Sequence, residues 1–193
     1  MAILRVAQMG HPILRVPSEA VDPRALSNPA FQAFCDDMLE TLAEVVGVGL
    51  AAPQLHTPIR VVLAEVDEEK GPEFFINPVI TVIGTTTRRT WEGCLSVEGM
   101  RGLVIRPDHV RIQALDRDGT AKDLELRGFS AVVVQHECDH LDGVLYVDRI
   151  EPGTLMFLRE WRRYSDDIDP DADADPDDEG DDDTDGSDPD TEE

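Results

Sequence analysis

The chain has 193 residues, of which 41% are hydrophobic, so it is long and apolar enough for one globular domain with its own core. That composition excludes a chain that is disordered throughout. The formal net charge is −24, but residues 166–193 hold 17 of the 41 acidic residues and no lysine or arginine. This leaves 24 acids against 17 bases upstream, a charge of −7, and the body of the chain is only mildly acidic.

The acidic segment at residues 166–193 has almost no apolar residue to bury and a dense run of like charge. Such a segment cannot offset the entropy cost of its own ordering. We therefore expect a disordered tail at 166–193 and a folded domain at 1–165, with the boundary near Ser165. A solubilising role is the simplest expectation for the tail, and docking to basic protein surfaces is the alternative.

Hydropathy and cysteine content predict a cytoplasmic protein. The start of the chain, MAILRVAQMGHPILRVP, lacks the apolar run of a signal peptide, and no later run is long enough to span a membrane. Three cysteines are an odd and sparse set, which is not typical of a disulfide framework. At least one thiol is then available for a metal or for chemistry.

The first predicted helix covers residues 28–46, with Asn28 as N-cap, Pro29 at the first helical position and Gly47 closing the helix. Its apolar residues follow helical spacing: Phe31, Phe34, Cys35, Met38, Leu42 and Val45 or Val46. After a glycine-rich loop, runs at 59–66, 74–84, 102–116 and 121–128 predict strands, the last two joined by a hairpin turn.

The segment 130–141, SAVVVQHECDHL, is locally ambiguous because its valines suit a strand. Ser130 as N-cap, the length of the run and the later Gly143 favour a helix, and valines on all sides predict that it is buried. In a helix, His136 and His140 lie one turn apart and reach the same point, as two ligands of one metal ion must. Glu137 is turned about 100° from His136, beside the ion.

Two histidines supply only half of a tetrahedral site. A thermolysin-like protease would add a glutamate from a following helix, and the longer pattern with a third histidine fails here because Tyr146 stands at that position. Upstream, Cys94 lies in a glycine-containing segment, RRTWEGCLSVEGMRG, that we expect to be a loop. Cys138 is on the wrong face of the helix and is expected, like Cys35, to be a core residue.

Three motifs in this order resemble those of the peptide deformylases: GVGLAAPQ at 47–54, EGCLS at 92–96 and QHECDHLDG at 135–143. The resemblance runs from about Leu4 to about Arg163. It implies an enzyme that removes the N-formyl group from the initiator methionine of new bacterial chains, with one divalent metal ion, naturally ferrous iron. Nickel, cobalt or zinc can substitute in the site.

The resemblance also implies roles for single residues. Cys94, His136 and His140 match the family's metal ligands, Glu137 its acid/base, Gln54 its oxyanion-binding amide, and Glu92 with Arg106 an ion pair that braces the cysteine. Gly49 and Leu95 match positions that contact substrate through the backbone. Arg101 matches an arginine near the mouth of the substrate groove. The Leu95 N–H and the Gln54 amide would both donate hydrogen bonds to the oxyanion that develops on the formyl oxygen. Glu98 replaces a proline that the family often has, which concerns the rim of the groove.

Elementary chemistry agrees with these residue types. One thiolate and two imidazoles leave a dication with a charge near +1, which acidifies a water for attack on the formyl carbon. Glu137 can carry the proton from that water to the departing amine. A methionine side chain needs an apolar pocket, for which the candidate residues are Val48, Phe129, Val132 and Val133.

The fold implied by the resemblance is α+β: short antiparallel sheets around a buried central helix, with the first helix packed outside. A C-terminal helix is expected at about 153–164, burying some combination of Leu155, Phe157, Leu158 and Trp161. Its arginines, at 159, 162 and 163, can contact the ribosome near the exit tunnel, although the acidic run argues against a strong or specific nucleic-acid contact.

The alternative function is a non-catalytic relative that binds nascent chains or ribosomes, for which the acidic tail is the only argument. A relative of that kind is expected to have lost Glu137, Gln54 or a metal ligand, and this chain has all of them.

Overall fold

A computed structural model describes residues 2–67, 69–169 and 172 of the chain. The predicted acidic tail lies outside the described residues except for 166–169 and 172. The helices are α1 (Pro29–Val45), α2 (Gly128–Leu141) and α3 (Leu158–Ile168). The strands are β1 (Gly49–Ala51), β2 (Val61–Ala64), β3 (Glu73–Val82), β4 (Thr87–Cys94), β5 (Val97–Pro107), β6 (His109–Leu115), β7 (Ala121–Arg127) and β8 (Met156–Phe157).

Two antiparallel sheets surround α2. The larger sheet has the strand order β1-β2-β3-β6-β7, and the smaller has the order β4-β5-β8. Helix α2 contacts β1, β2, β6 and β7 of the first sheet and β5 of the second. The predicted α+β fold around a buried central helix is confirmed.

Helix α1 begins as predicted, because the Asn28 side chain accepts a hydrogen bond of 2.8 Å from the Ala30 N–H and Pro29 is the first helical residue. The predicted range of 28–46 matches the helix with its two caps, but the prediction that Gly47 closes it is wrong. The left-handed residue that closes α1 is Val46, at φ 52°, and its side chain is 90% exposed. The buried face of the helix consists of Cys35, Met38, Thr41 and Leu42, with Phe31 and Phe34 packed against the same cluster.

Helix α2 starts three residues earlier than predicted, with Arg127 rather than Ser130 as its N-cap. Gly128, at φ 60°, turns the chain out of β7 into the helix, and glycine adopts this conformation without steric cost. Ser130 lies inside α2 and donates its hydroxyl hydrogen to the Val66 carbonyl at 2.9 Å, so it is not the N-cap. The predicted burial is confirmed, since Ala131, Val132, Val133, Val134 and Leu141 are all buried.

The cysteine segment is a hairpin rather than a loop. Strands β4 and β5 pair from Thr87 opposite Pro107 down to Cys94 opposite Val97. The predicted single strand at 102–116 is also wrong, because Asp108 separates β5 from β6 and its carboxylate accepts a bond of 2.7 Å from Arg88. The GVGLAAPQ segment, too, contains the short strand β1.

The C-terminal helix is shifted along the chain relative to its predicted range of 153–164. Residues 156–157 form β8, and α3 continues to Ile168, beyond the expected boundary at Ser165. No residue of α3 is buried; Leu158 and Trp161 are partly buried, whereas Leu155 and Phe157 are exposed. Within the part of the chain that the structure describes, no helix is long and apolar enough to cross a bilayer.

Candidate metal centre and active site

The hairpin and the central helix bring three metal-binding side chains to one point. Cys94 is the last residue of β4, and His136 and His140 lie one turn apart on α2. Each offers one ligand atom, and these atoms lie within 4.8 Å of one another. The Cys94 Sγ is 3.2 Å from the His140 Nε2. The spacing and chemistry of these donors suit one small dication.

A chain of charged side chains orients the first histidine. The Glu92 carboxylate accepts bonds of 2.7 Å from the His136 Nδ1 and 2.9 Å from Arg106. Arg106 also donates to Asp139 at 2.9 Å, and Arg149 donates to the same carboxylate at 2.7 Å. With Nδ1 engaged, His136 directs its Nε2 towards the ligand group, the usual outer-sphere arrangement in metal sites.

The charges around the centre favour a cation. Burial raises the pKa of Glu92, but hydrogen bonds from His136 and Arg106 outweigh it and lower that pKa to about 2. Burial lowers the pKa of His136, yet the Cys94 and Glu92 side chains raise it overall, well above the usual value. Burial and the neighbouring His136 hold the pKa of His140 well below its usual value. The anionic Glu92 beside His136 favours positive charge at the centre, and His136 must release its proton when it acts as a metal ligand.

Glu137 is buried beside the three ligands. Its Oε2 has no hydrogen-bond partner among the described residues, and burial raises its pKa to about 7. Its side chain packs against the backbone of Gly49, where an added Cβ would lie 2.8 Å from the Glu137 Cδ. A carboxylate with a pKa near neutrality and an unused oxygen is suited to accept and release a proton.

Gln54 is held with its amide nitrogen towards the ligands. It lies in a 3₁₀ turn, Ala52–Leu55, directly after β1. Its Oε1 accepts a bond of 2.7 Å from the Ala51 N–H. Its Nε2 is 3.6 Å from the Cys94 Sγ and 3.2 Å from the Ser96 hydroxyl. The carbonyl oxygen is therefore satisfied by backbone, and the NH₂ group faces the site.

Leu95 lies in the tight turn between β4 and β5, next to the candidate ligand Cys94. Its carbonyl accepts a bond of 3.0 Å from the Gln8 side chain. The Ser96 carbonyl accepts one of 2.7 Å from the Met9 N–H, and the Ser96 N–H donates to the Cys94 Sγ at 3.4 Å. The amino-terminal segment thus fixes the turn that carries Leu95.

A groove of about 640 Å³ opens onto the centre. All six residues predicted to contact substrate line it: Val48, Gly49, Arg101, Phe129, Val132 and Val133. Val132 and Val133 are buried at its base, whereas Val48 and Phe129 are exposed at its edge. The exposed Glu98, which stands where the family often has proline, also lines the groove. The groove therefore has an apolar base beside the donor cluster.

Several contributors were missed from the sequence. Val46 and Trp91 line the groove, and Ser96, Asp139 and Arg149 support the residues around the metal ligands. Asp139, between the two histidines in HECDH, was the clearest available signal, because a buried acid on that helix needs a cation.

The remaining cysteines and histidines lie outside the ligand group. Burial raises the pKa of Cys35 to about 11 and that of Cys138 to about 12, as expected for core thiols. His11 and His56 meet edge to face at 4.8 Å between ring centroids, and His109 lies 3.3 Å from Glu125.

A cysteine sulfur and two imidazoles around one point, with a buried carboxylate that has one unbonded oxygen among the described residues, are typical of a metal-dependent hydrolase. A sequence model of the polypeptide deformylase family matches residues 3–155, and the chain belongs to this family. The enzymes of this family remove the N-formyl group from the terminal methionine of newly made proteins, and this chain has the same activity.

Relatives and solved structures agree with the family match. A peptide deformylase from Leptospira biflexa is 40% identical over 178 residues, covering 88% of this chain and 96% of the relative. Peptide deformylase 1 of Nitrosomonas europaea is 44% identical over 153 residues, which cover 75% of this chain and 86% of the relative. The crystal structure of the Thermotoga maritima enzyme has a TM-score of 0.74 at 34% identity, covering 79% of this chain and all of that one.

A class I type b peptide deformylase from Acinetobacter baumannii, solved with Met-Ala-Ser bound, has a TM-score of 0.72 at 33% identity. The matched region covers 77% of this chain and 99% of the Acinetobacter baumannii chain.

Proposed function

We propose that Cys94, His136 and His140 hold one divalent ion, natively ferrous iron, and that Glu137 and Gln54 act on the formyl group beside it. The observation that carries this proposal is the cluster of one sulfur and two imidazole nitrogens within 4.8 Å, with a buried, unpaired carboxylate next to it. When bound, the ion supplies Lewis-acid chemistry, which acidifies water and polarises a carbonyl.

Glu137 carries the proton. Its carboxylate takes a proton from the water that attacks the formyl carbon, and it then gives that proton to the departing amine as the C–N bond breaks. The products are formate and a free amino terminus. A pKa of about 7, raised by burial, suits both steps, since an acid/base group works best when its pKa lies near the working pH.

Gln54 and Leu95 stabilise the negative charge that develops on the formyl oxygen. The Ala51 N–H donates a hydrogen bond to the Gln54 Oε1, which aims the Gln54 NH₂ at the site. The Leu95 N–H belongs to the turn beside Cys94. Donors fixed in advance need no reorganisation as charge develops, which is why such groups contribute strongly to catalysis.

The methionine side chain occupies the apolar end of the groove. Val132 and Val133 form its buried base, and Val48 and Phe129 flank the entrance. The backbone of Gly49 lies directly against the Glu137 carboxylate because Gly49 has no Cβ. The same backbone contacts the substrate. Arg101 lies at the mouth, where residues after the methionine pass.

The mixed thiolate and imidazole donor set is compatible with iron, and it also accepts nickel, cobalt or zinc. We further propose a cytoplasmic location and a contact with the ribosome through the exposed arginines of α3. These are Arg159, Arg162 and Arg163, of which the first and last pair with Glu160. The acidic residues that follow Asp169 are proposed to be a solubilising tail.

Metal analysis with anaerobic kinetics on formyl-Met-Ala-Ser tests this function. Glu137→Gln is expected to keep about one metal ion per chain and to lose roughly 10²–10⁴-fold in turnover, because only the proton carrier is removed. Glu44→Gln, which neutralises an exposed carboxylate on α1, is the matched control and keeps the wild-type rate. A Glu137→Gln variant with the wild-type rate would reject the assignment.

A further inference from the structure

Helix α3 follows the segment that matches the family, which ends at residue 155, and it contributes no buried residue to the core. Its amino-terminal end is nevertheless tied to the active-site hairpin. Strand β8, directly before α3, pairs with β5, with Met156 opposite Arg101 and Phe157 opposite Met100. The helix therefore leaves the sheet beside Arg101, a residue of the groove wall.

The carboxyl-terminal end of α3 is tied to the same hairpin by an ion-pair cluster. Asp169, the residue after the helix, is only 6% exposed, and its carboxylate pairs with the Arg89 Nη1 on β4. The other donors of Arg89 reach Glu151 at 3.2 and 2.9 Å. We call Arg89, Glu151 and Asp169 the Arg89 clasp. A carboxylate is seldom buried without a paired cation, so this contact fixes where α3 ends.

Between these two ties, α3 presents Trp161 to the groove wall. The Arg101 guanidinium carbon lies 5.7 Å from the Trp161 ring centroid, at cation–π distance. Its Nη1 donates to the Met100 carbonyl at 2.9 Å. On the other side the guanidinium lies against Gly93, where an added Cβ would overlap it. Arg101 is thus held between an aromatic ring and a glycine that directly precedes Cys94.

We propose that the Arg89 clasp is a positioning device for peptide binding. By fixing α3 at its far end, it keeps Trp161 against Arg101, and so keeps the guanidinium in the wall of the groove. This inference rests on the proposed function of the groove. It gives Asp169, Arg89 and Trp161 a role in peptide binding. Arg101 then receives the backbone carbonyls or carboxylate of residues that follow the formylmethionine.

The device acts on binding rather than on the chemical step. An arginine side chain has many rotamers, and ordering it when a peptide binds costs free energy that prior ordering removes. The formyl group reacts at the metal ligands and Glu137, whereas Arg101 lies at the groove mouth. Loosening α3 is therefore expected to raise KM for peptides that extend past the methionine, and to leave kcat nearly unchanged.

The test compares Asp169→Asn with Asp167→Asn, which removes the same charge from an exposed position on α3. Each holoenzyme is assayed on formyl-Met-Ala-Ser and on formyl-methioninamide, which has no following residue. We expect Asp169→Asn to raise KM for the tripeptide about fivefold, with kcat and the constants for the amide within about twofold. Asp167→Asn is expected to match the wild type.

Trp161→Leu, which removes the aromatic ring, provides a second route that leaves the clasp intact. It is expected to reproduce the KM change, and combining it with Asp169→Asn is expected to add little, because both changes act through Arg101. Equal KM values in the wild type and both variants would overturn the inference. So would an equal loss on both substrates, which indicates general destabilisation. A wild-type protein that hydrolyses neither substrate would instead reject the proposed function.

Discussion

Gly49→Ala tests whether the position of the Glu137 carboxylate sets the rate. Gly49 is buried in β1, and its φ lies outside the left-handed range, so alanine is acceptable to the backbone. The added Cβ would lie 2.8 Å from both Cγ and Cδ of Glu137, and ordinary contact begins at 3.4 Å. The carboxylate must therefore move by about 0.6 Å or more.

A shift of this size has a calculable effect. Displacing a catalytic group by about 1 Å can reduce the rate about 100-fold, so we expect kcat to fall between about 10-fold and 100-fold. Overpacking is expected to cost about 1–3 kcal/mol of stability. Metal content is expected to stay at the wild-type level, because the three atoms nearest to the new methyl group all belong to Glu137, which is not one of the proposed ligands.

The assay is anaerobic turnover of formyl-Met-Ala-Ser, with metal content and thermal midpoint measured on the same samples. Gly47→Ala is the control: its Cβ would meet the side-chain ends of Leu42 at 2.9 Å and Leu95 at 3.3 Å. These flexible groups can move aside, so a loss below about threefold is expected. A fully active Gly49→Ala variant would refute the argument, as would a loss explained by missing metal.

Three further results are expected. Cys94→Ala loses both metal affinity and turnover, whereas Cys35→Ala keeps its metal; metal retention by Cys94→Ala would remove the thiolate from the ligand set. The iron enzyme loses activity in air faster than the nickel enzyme, because ferrous iron and its thiolate both oxidise, and equal half-lives in peroxide would contradict this. A chain ending after Ala172 keeps the clasp and hydrolyses a short neutral formyl-peptide within about twofold of the full chain, a barrier change of roughly 0.4 kcal/mol; loss of folding or turnover would place the tail within the catalytic structure.

The parts of the fold that were predicted correctly depend on local signals. The start of α1 follows from Asn28 and Pro29, and the course of α2 follows from an uninterrupted run that ends near Gly143. The ligand spacing of His136 and His140 needs nothing beyond the geometry of one helical turn. The third ligand did not follow from local pattern, since Cys94 lies in a different element, and only the resemblance to a known family assigned it.

Strand β4 was missed because its buried residues include charged ones. Strand patterns are recognised by apolar residues at alternate positions, yet in β4 the buried positions include Arg88 and Glu92. Each is satisfied by a partner on or after β5: Arg88 by Asp108 and Glu92 by Arg106. A single-residue hydropathy pattern cannot anticipate such pairing, because it treats every charged side chain as solvent-facing.

The same reasoning applies to Asp169, which the sequence analysis places in the acidic tail. Asp169 has the composition of the acidic tail, and nothing near it in sequence distinguishes it from the acids that follow. Its burial depends on Arg89, a residue far upstream on β4 that also engages Glu151. Composition averages over a window of the chain, whereas a buried ion pair is a property of two distant residues. An acidic residue at the end of the domain is therefore best assigned to the fold when it pairs with a cation of the folded part. Asp169 meets this criterion because it pairs with Arg89 on β4.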